Sequence, residues 1–194
     1  DENNGWTFRW LVPHNIPDLI AMMGGRSQVI SNLDETFKEP VVKPKRQFYS
    51  QFSNQTGSIG QYAAGNEPGF HIPYLYNYAG QPWKTQKYIR QVMNTWFRDD
   101  LMGIPGDEDA GSMSAFVVLS YMGFYPVTPG IPVYNIGSPI FDEITIHLPN
   151  GREFRIMTHD NSIHNKYIQS AVLNSSPIEK PWFTHRAILN GGTL

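Results

Sequence analysis

The chain has 194 residues, of which 40% are hydrophobic and 13% aromatic, enough to build the core of one domain or of two small ones. A net charge of −2, with no basic stripe, argues against a nucleic-acid-binding protein. No apolar run approaches the ~20 residues that cross a bilayer, and the lack of cysteine excludes disulfides, thiolate zinc sites and cysteine nucleophiles.

The surface composition is unusual for a small free-standing domain. Charged residues make up only 16% of the chain, against roughly 25% in ordinary globular domains. The chain carries 14 asparagines and 9 glutamines instead. The first residues, 1–4, are polar and unlike a secretory signal peptide. We therefore expect part of a larger protein, with some of this surface packed against another domain.

The first two-thirds of the chain predict helices joined by loops. Asn15 as an N-cap, Pro17 in the first turn and a glycine pair at 24–25 predict a short helix over 15–23. The segment 51–69, rich in small and polar residues, predicts a long irregular loop. Apolar residues at helical spacing predict further helices over 27–37, 72–79, 83–101 and 110–122. The last of these is apolar on nearly all sides, which predicts that it is buried.

The last third of the chain predicts β-strands. Two alternating segments, 143–148 and 153–157, flank a Pro-Asn-Gly turn, which is a strong hairpin signal. Two more strands are predicted over 167–173 and 182–189. The whole is an α+β protein, with helices over 1–130 and a small antiparallel β unit over 131–194.

Three acidic clusters stand in predicted loops or at helix starts, beside glycines, amides or aromatic residues. They are Asp1-Glu2-Asn3-Asn4-Gly5-Trp6, Gly65-Asn66-Glu67-Pro68 and Gly106-Asp107-Glu108-Asp109-Ala110-Gly111. Carboxylates and amides bind sugar hydroxyls, and aromatic rings stack on sugar rings. If these loops meet in one cleft, the cleft suits a carbohydrate.

The third cluster has two readings. Acidic residues are favoured at helix N-termini, so Asp107, Glu108 and Asp109 fit as caps of the following helix. Three acids between glycines exceed what a cap needs, and they fit equally well as a general base or as oxygen ligands of a hard cation.

The other two clusters are also open to a structural reading. Glu67, between Asn66 and a proline, fits either a turn or a fixed carboxylate beside an amide oxygen, which suits Ca²⁺ or sugar hydroxyls. A lone histidine such as His71 is more often structural than a ligand. Glu2 fits either a solvated acid near the chain start or an acid held by the aromatic residues that begin at Trp6.

Taken together, these segments resemble glycoside hydrolase family 92, the calcium-dependent α-mannosidases. The matching motifs run almost end to end and in order. They are Glu2-Asn-Asn-Gly-Trp6, Trp10-Leu-Val-Pro-His14, Gly65-Asn-Glu-Pro68, His71-Ile-Pro-Tyr-Leu-Tyr-Asn77, Lys84-Thr-Gln86, Gly106-Asp-Glu-Asp-Ala-Gly111, Met122-Gly-Phe-Tyr-Pro126, Tyr134-Asn-Ile-Gly-Ser-Pro139, Asn165-Lys-Tyr-Ile-Gln-Ser170 and Gly191-Gly192.

The resemblance implies the C-terminal portion of a secreted or periplasmic enzyme. The helices would belong to an (α/α)₆ toroid of helical hairpins, followed by a small antiparallel β-sandwich unit. The chain would act together with an N-terminal β-sandwich domain and further helical hairpins of the same enzyme, on a mannose-containing glycan. The acid and the base would lie in this chain and the rest of the cleft in other parts of the enzyme, so activity of the chain by itself is not implied.

The resemblance also implies roles for single residues in an inverting, Ca²⁺-dependent removal of terminal α-linked mannose. Glu2 is similar to the general acid of the family and Asp109 to the general base, with Asp107 as its alternative or partner. Asn66 and Glu67 resemble part of the calcium and sugar site, and we expect Trp6 and His71 to contact the sugar.

Two departures and two alternatives accompany this reading. Phe70 stands where the family often has a histidine before His71. The loop 53–55 lacks the His-Glu pair associated with α-1,2 linkages, so the linkage stays open. A non-catalytic carbohydrate-binding module would use the same residues without a facing acid and base. A purely structural domain would use the acids as caps.

Overall fold

The computed structural model describes residues 3–41, 54 and 56–194. Its helices are α1 (Gly5–Phe8), α2 (Ile16–Met22), α3 (Arg26–Lys38), α4 (Leu75–Ala79), α5 (Pro82–Trp96), α6 (Ser112–Met122) and α7 (His185–Leu189). Its strands are β1 (Ser58–Ile59), β2 (Tyr62–Ala63), β3 (Phe124–Tyr125), β4 (Val133–Ile136), β5 (Glu143–His147), β6 (Glu153–Met157), β7 (Val172–Leu173), β8 (Ser176–Pro177), β9 (Trp182–Thr184) and β10 (Gly192–Thr193). Two 3₁₀ turns, Glu67–Gly69 and Ile72–Tyr74, precede α4.

Local signals account for the first helices. The Asn15 side chain accepts a hydrogen bond of 3.3 Å from the backbone N–H of Asp18, and Pro17 occupies the first turn of α2. The predicted helix over 72–79 divides into the second 3₁₀ turn and α4. The predicted irregular loop over 51–69 contains, in its described part, the β1–β2 hairpin and the first 3₁₀ turn.

Helix α5 ends at Trp96, five residues before the predicted end at 101. Phe97 is extended and buried, so the chain leaves the helix to bury this ring. The backbone N–H of Arg98 then donates to the carbonyl of Gly103 at 3.0 Å. The close approach that results leaves no room for a side chain at Gly103.

Helix α6 is less buried than its composition predicts. Its buried residues are Met113, Phe116 and Ser120, whereas Val118 is 55% exposed. The prediction of a buried helix is therefore wrong for one side of α6. An all-apolar sequence does not show which side is covered, because it has no polar side to mark the solvent.

The predicted hairpin in the last third is confirmed. Strands β5 and β6 pair antiparallel in a register that places Ile144 opposite Ile156 and Ile146 opposite Phe154. The described pairings in this region are antiparallel, as predicted, except that β10 joins the other edge of β6 in parallel. The sheet that contains β5 and β6 is therefore mixed.

Two predicted strands are wrong for most of their length. In the segment 167–173 only β7 forms. In the segment 182–189 the chain is a strand only to Thr184, after which α7 begins. The His185 N–H donates to the carbonyl of Pro132 at 2.8 Å, just beyond the β4–β9 ladder, where the strand gives way to α7.

The core consists of two hydrophobic clusters. The first lies among the helices and contains large fully buried rings such as Trp10, Tyr62 and Phe116. The second lies among the strands and is centred on Phe154 and Phe183. Whether the chain divides into domains at 130–131 stays a prediction. Within the described residues, no helix is both long and apolar enough to cross a membrane.

Candidate active site

Two of the three acidic clusters lie against each other. A Cβ added to Gly106, whose φ is +71°, would overlap the carbonyl oxygen of Gly65. Gly65 is equally confined, because a Cβ there would lie 2.8 Å from the carbonyl oxygen of Thr56. Glycine permits this close approach of two backbones. The contact joins residues 65–69, here called the Glu67 turn, to residues 106–111, here called the acid loop.

In the Glu67 turn, Asn66 is buried and the carboxylate of Glu67 belongs to an exposed residue. Asn66 is 2% exposed, and its Oδ1 accepts a hydrogen bond of 2.8 Å from the Glu67 N–H, which caps the 3₁₀ turn. Pro68 fits the first turn of this short helix. The Ser112 hydroxyl donates to Glu67 Oε1 at 2.9 Å. Glu67 is therefore tied to the first residue of α6.

The acid loop has an uncommon backbone. Asp109 and Ala110 both have φ of 55°, and Gly111 has φ of 100°. Left-handed residues other than glycine are uncommon, and asparagine and aspartate are the side chains that tolerate this region best. The carboxylates of Asp107 and Asp109 belong to exposed residues. The loop therefore presents these two acids to solvent beside the Glu67 turn.

Glu108 lies between these two acids and turns back on its own loop. Its Oε2 accepts from the Gly111 N–H at 2.5 Å and its Oε1 from the Ser114 N–H at 3.3 Å. Hydrogen bonds from the Ser114 hydroxyl and the Gly111 N–H lower the pKa of the Glu108 carboxyl. Glu108 thus acts as the side-chain cap of α6, and the capping interpretation of the sequence holds for this one acid.

The first acidic cluster is described only in part, because Asp1 and Glu2 lie outside the described residues. Asn4 caps α1 by accepting from the Thr7 N–H at 2.9 Å, and its side-chain amide donates to the Gln61 carbonyl at 2.8 Å. Helix α1 contacts the 3₁₀ turn Glu67–Gly69. Partly buried Trp6 therefore belongs to a helix beside the Glu67 turn, whereas the place of Glu2 stays a prediction.

His71 is buried beneath this arrangement. It is 5% exposed, and its Nε2 donates to the Trp10 carbonyl at 2.7 Å. Burial lowers its pKa, because the charged imidazolium is disfavoured away from water. In this position His71 joins the chain after α1 to the chain after the Glu67 turn. This position fits the structural interpretation of His71, and its contact with a sugar stays a prediction.

Tyr125 is a site neighbour to which the sequence analysis gave no role. Its ring stacks on Tyr74 with centroids 5.4 Å apart and meets Phe116 edge-on at 5.3 Å. Burial, and secondarily the negative charge of Glu67, raises its pKa to about 12. The phenol is therefore neutral beside the Glu67 carboxylate. Its position within the motif 122–126 was the only available signal.

The described residues offer only part of the oxygen ligands that the predicted calcium site would need. Among the residues that the structure describes, no three histidine, cysteine, aspartate or glutamate side chains are grouped to hold a metal ion. Calcium takes six to eight oxygen ligands. Asn66 and Glu67 offer oxygens of the right kind and too few of them. A complete site would need oxygens from water, from a sugar or from elsewhere in the protein.

A concavity of about 910 Å³ lies apart from these acids. It is lined by residues of the strand region, including Ser138, His159, Lys166 and Leu194. None of the predicted site residues that the structure describes lines it. This cavity and the acidic cluster are therefore separate features.

Comparisons with known proteins place the whole chain in one group. The model of the glycosyl hydrolase family 92 catalytic domain matches residues 1–194. An uncharacterized secreted glycosidase of Arthroderma benhamiae is 33% identical over 196 residues, covering 100% of this chain and 23% of that protein.

Solved structures give the same result. A family GH92 α-mannosidase of Bacteroides thetaiotaomicron, in complex with mannoimidazole, superposes with a TM-score of 0.89 at 31% identity, covering 98% of this chain and 24% of that one. A family GH92 inverting mannosidase of the same bacterium gives 0.84 at 40% identity, covering 100% and 27%. The chain thus spans about a quarter of the length of these relatives.

Proposed function

Because the chain belongs to glycoside hydrolase family 92, we propose that it is part of the catalytic region of an exo-acting α-mannosidase that removes terminal α-linked mannose from glycans with inversion. The observation that carries this proposal is the contact between the Glu67 turn and the acid loop. It brings exposed carboxylates from distant parts of the sequence to one place, beside the helix that carries Trp6. Two solved relatives, one named an α-mannosidase and the other an inverting mannosidase, share this fold.

Inversion requires two carboxyl groups with opposite tasks. We assign the general base to Asp109, with Asp107 as its partner or alternative, and the general acid to Glu2. The base removes a proton from water, whose oxygen attacks the anomeric carbon, while the acid gives its proton to the departing glycosidic oxygen. The two carboxyls should lie roughly 6.5–9.5 Å apart, so that the water fits between base and sugar.

Sugar binding is assigned to the side chains that remain accessible. The exposed Glu67 carboxylate would accept hydrogen bonds from sugar hydroxyls, and the ring of partly buried Trp6 would pack against the pyranose. His71 would support these residues from below through its bond to the Trp10 carbonyl. Asn66 and Glu67 would hold part of a Ca²⁺ site. When bound, this ion would polarise mannose hydroxyls.

The rest of the enzyme would complete the site. We propose that the helices belong to an (α/α)₆ toroid, that the strands form a sandwich-like unit, and that a further β-sandwich domain and further helical hairpins face this chain. We propose a secreted or periplasmic location, and the description of the fungal relative as a secreted glycosidase supports secretion. The low share of charged residues supports the idea of covered surface.

The decisive test is Asp109→Asn in the full-length protein, assayed on an aryl α-mannoside. We expect kcat to fall by about 10²- to 10⁴-fold, the usual contribution of a general base. Asp142→Asn, which changes an exposed acid of the strand region, is the matched control and should keep full turnover. Full turnover by Asp109→Asn would refute the base assignment.

Two further measurements test the finer parts of the proposal. Chelation with EDTA should abolish hydrolysis and added Ca²⁺ should restore it; activity unchanged by EDTA would remove the calcium claim. NMR of the first product should show β-mannose, and α-mannose would contradict inversion. A panel of α-linked mannobioses, with and without Ca²⁺, would give the linkage preference.

A further inference from the structure

Glu108 differs from its two acidic neighbours in the direction of its carboxylate. Both of its oxygens accept backbone N–H groups at the start of α6, from Gly111 at 2.5 Å and from Ser114 at 3.3 Å. The N-cap residue of α6, Gly111, has no side chain with which to do this. Glu108 therefore satisfies N–H groups that a helix start leaves without partners.

The turn that Glu108 spans is strained. Asp109 and Ala110 are consecutive non-glycine residues with positive φ, followed by Gly111 with φ of 100°. A positive φ is unfavourable for most residues other than glycine and persists only where its surroundings enforce it. Burial does not enforce it here, because all three residues are exposed.

Because burial does not hold the turn at residues 109–111, we consider the hydrogen bonds that do. The Asp109 carbonyl accepts from the Ser112 N–H at 3.2 Å, and the Glu108 carbonyl accepts from the Met113 N–H at 3.2 Å. The Glu108 carboxylate closes the turn from the other side through Gly111 and Ser114. Removing it would take two hydrogen bonds away from an exposed turn with positive φ angles.

We propose that Glu108 is a positioning residue, whose carboxylate holds the left-handed turn that presents the Asp109 carboxylate to the reacting water. This inference rests on the proposed function of Asp109. It gives Glu108, whose carboxylate accepts backbone N–H groups of α6, a task different from that of Asp107 and Asp109. Glu108 is then neither a third acid or base nor a calcium ligand.

The test compares Glu108→Ala and Glu108→Gln in the full-length enzyme on an aryl α-mannoside. A displacement of about 1 Å in a catalytic group costs up to roughly 10²-fold. We therefore expect kcat of Glu108→Ala to fall by about 10- to 100-fold while KM changes less than about threefold. Glu108→Gln should recover part of this loss, because its amide oxygen still accepts one N–H. Both variants should keep both limbs of the pH profile.

Asn15→Ala is the matched control, because it removes the side-chain cap of α2 far from the acid loop. Its fall in unfolding temperature should resemble that of Glu108→Ala, because each variant removes one side-chain cap, and its kcat should be unchanged. If Glu108→Ala does not fold, Glu108→Gln decides alone, with an expected fall in kcat of at least threefold at an unchanged unfolding temperature.

Three results would overturn the proposal. The first is a kcat within twofold of wild type in Glu108→Ala or, if that variant does not fold, in Glu108→Gln. The second is the loss of one limb of the pH profile in either variant. The third is a Glu108→Gln variant as inactive as Asp109→Asn. The last two would make Glu108 itself the acid or base. Full turnover by Asp109→Asn would instead refute the proposed function, whatever Glu108 does.

Discussion

The Glu67 turn and the acid loop carry similar residues and are held by opposite means. The Glu67 turn is fixed from beneath: Asn66 is 2% exposed, and His71, just after the turn, is 5% exposed. The acid loop is exposed and strained, and hydrogen bonds to its own backbone hold it. A site can thus combine one carboxylate anchored by a core with others placed by a capped turn. The two segments should fail differently when they are perturbed.

The largest effect should come from separating the two segments. Gly106→Ala adds a Cβ that overlaps the Gly65 carbonyl and keeps a left-handed φ. We expect an apparent loss of stability on the order of 3 kcal/mol, measured by thermal unfolding of the full-length protein, together with loss of mannosidase activity. Gly130→Ala is the matched control, because Gly130 also has positive φ but no atom within 4 Å of the added Cβ. Equal losses in the two variants would show that backbone strain, not the contact, matters.

A smaller loss of stability should come from protonating His71, the buried histidine just after the Glu67 turn. Burial lowers the pKa of His71 in the folded protein, so the unfolded chain takes up this proton more readily. The stability that neutral His71 contributes is therefore present above about pH 6.5, the ordinary value, and is lost as the pH falls. We expect the unfolding temperature to decrease between pH 7 and pH 5.

Two variants test whether His71 causes the decrease of the unfolding temperature between pH 7 and pH 5. His71→Gln can still donate to the Trp10 carbonyl but does not titrate, so it should flatten the decrease. His164→Gln, which changes an exposed histidine of the strand region, should leave the decrease unchanged. An undiminished decrease in His71→Gln would show that other groups are responsible.

The smallest effect should come from removing the hydrogen bond between the Glu67 turn and the first residue of α6. Ser112→Ala deletes the hydroxyl that donates to Glu67 Oε1 at 2.9 Å. A hydrogen bond to a charged group contributes about 1.5–3 kcal/mol when sheltered and less at an exposed site. We expect kcat/KM to fall about three- to tenfold with little change in unfolding temperature. Ser27→Ala, in the exposed first turn of α3, should leave both values unchanged, and a wild-type kcat/KM in Ser112→Ala would contradict the role of this bond.

Local chemistry made parts of the fold predictable. The cap at Asn15 and the Asn-Gly turn at 150–151 act over a few residues, so they are visible in the sequence. The end of α5 depends on the burial of Phe97, and the exposed side of α6 depends on which elements cover it. Both are decided by distant parts of the chain. The parallel pairing of β10 with β6 is likewise a long-range contact.

The same division applies to the candidate site. The acid triplet was evident in the sequence, and so was the choice between capping and chemistry. That Glu108 caps while its neighbours face solvent depends on a turn of two non-glycine residues in the left-handed region. No pattern of residue types predicts such a turn. The raised pKa of Tyr125 depends on burial and on the charge of Glu67, which is remote in sequence.

The left-handed backbone at Asp109 also limits which amino acids this position accepts. With φ of 55°, it favours short side chains whose polar atoms can bond locally, and these are aspartate and asparagine rather than glutamate. An acid at this position is therefore an aspartate for conformational reasons, before any requirement of the reaction applies. The two side chains that the turn tolerates best differ by one ionisable group, so exchange of one for the other changes the charge and leaves the shape of the turn intact.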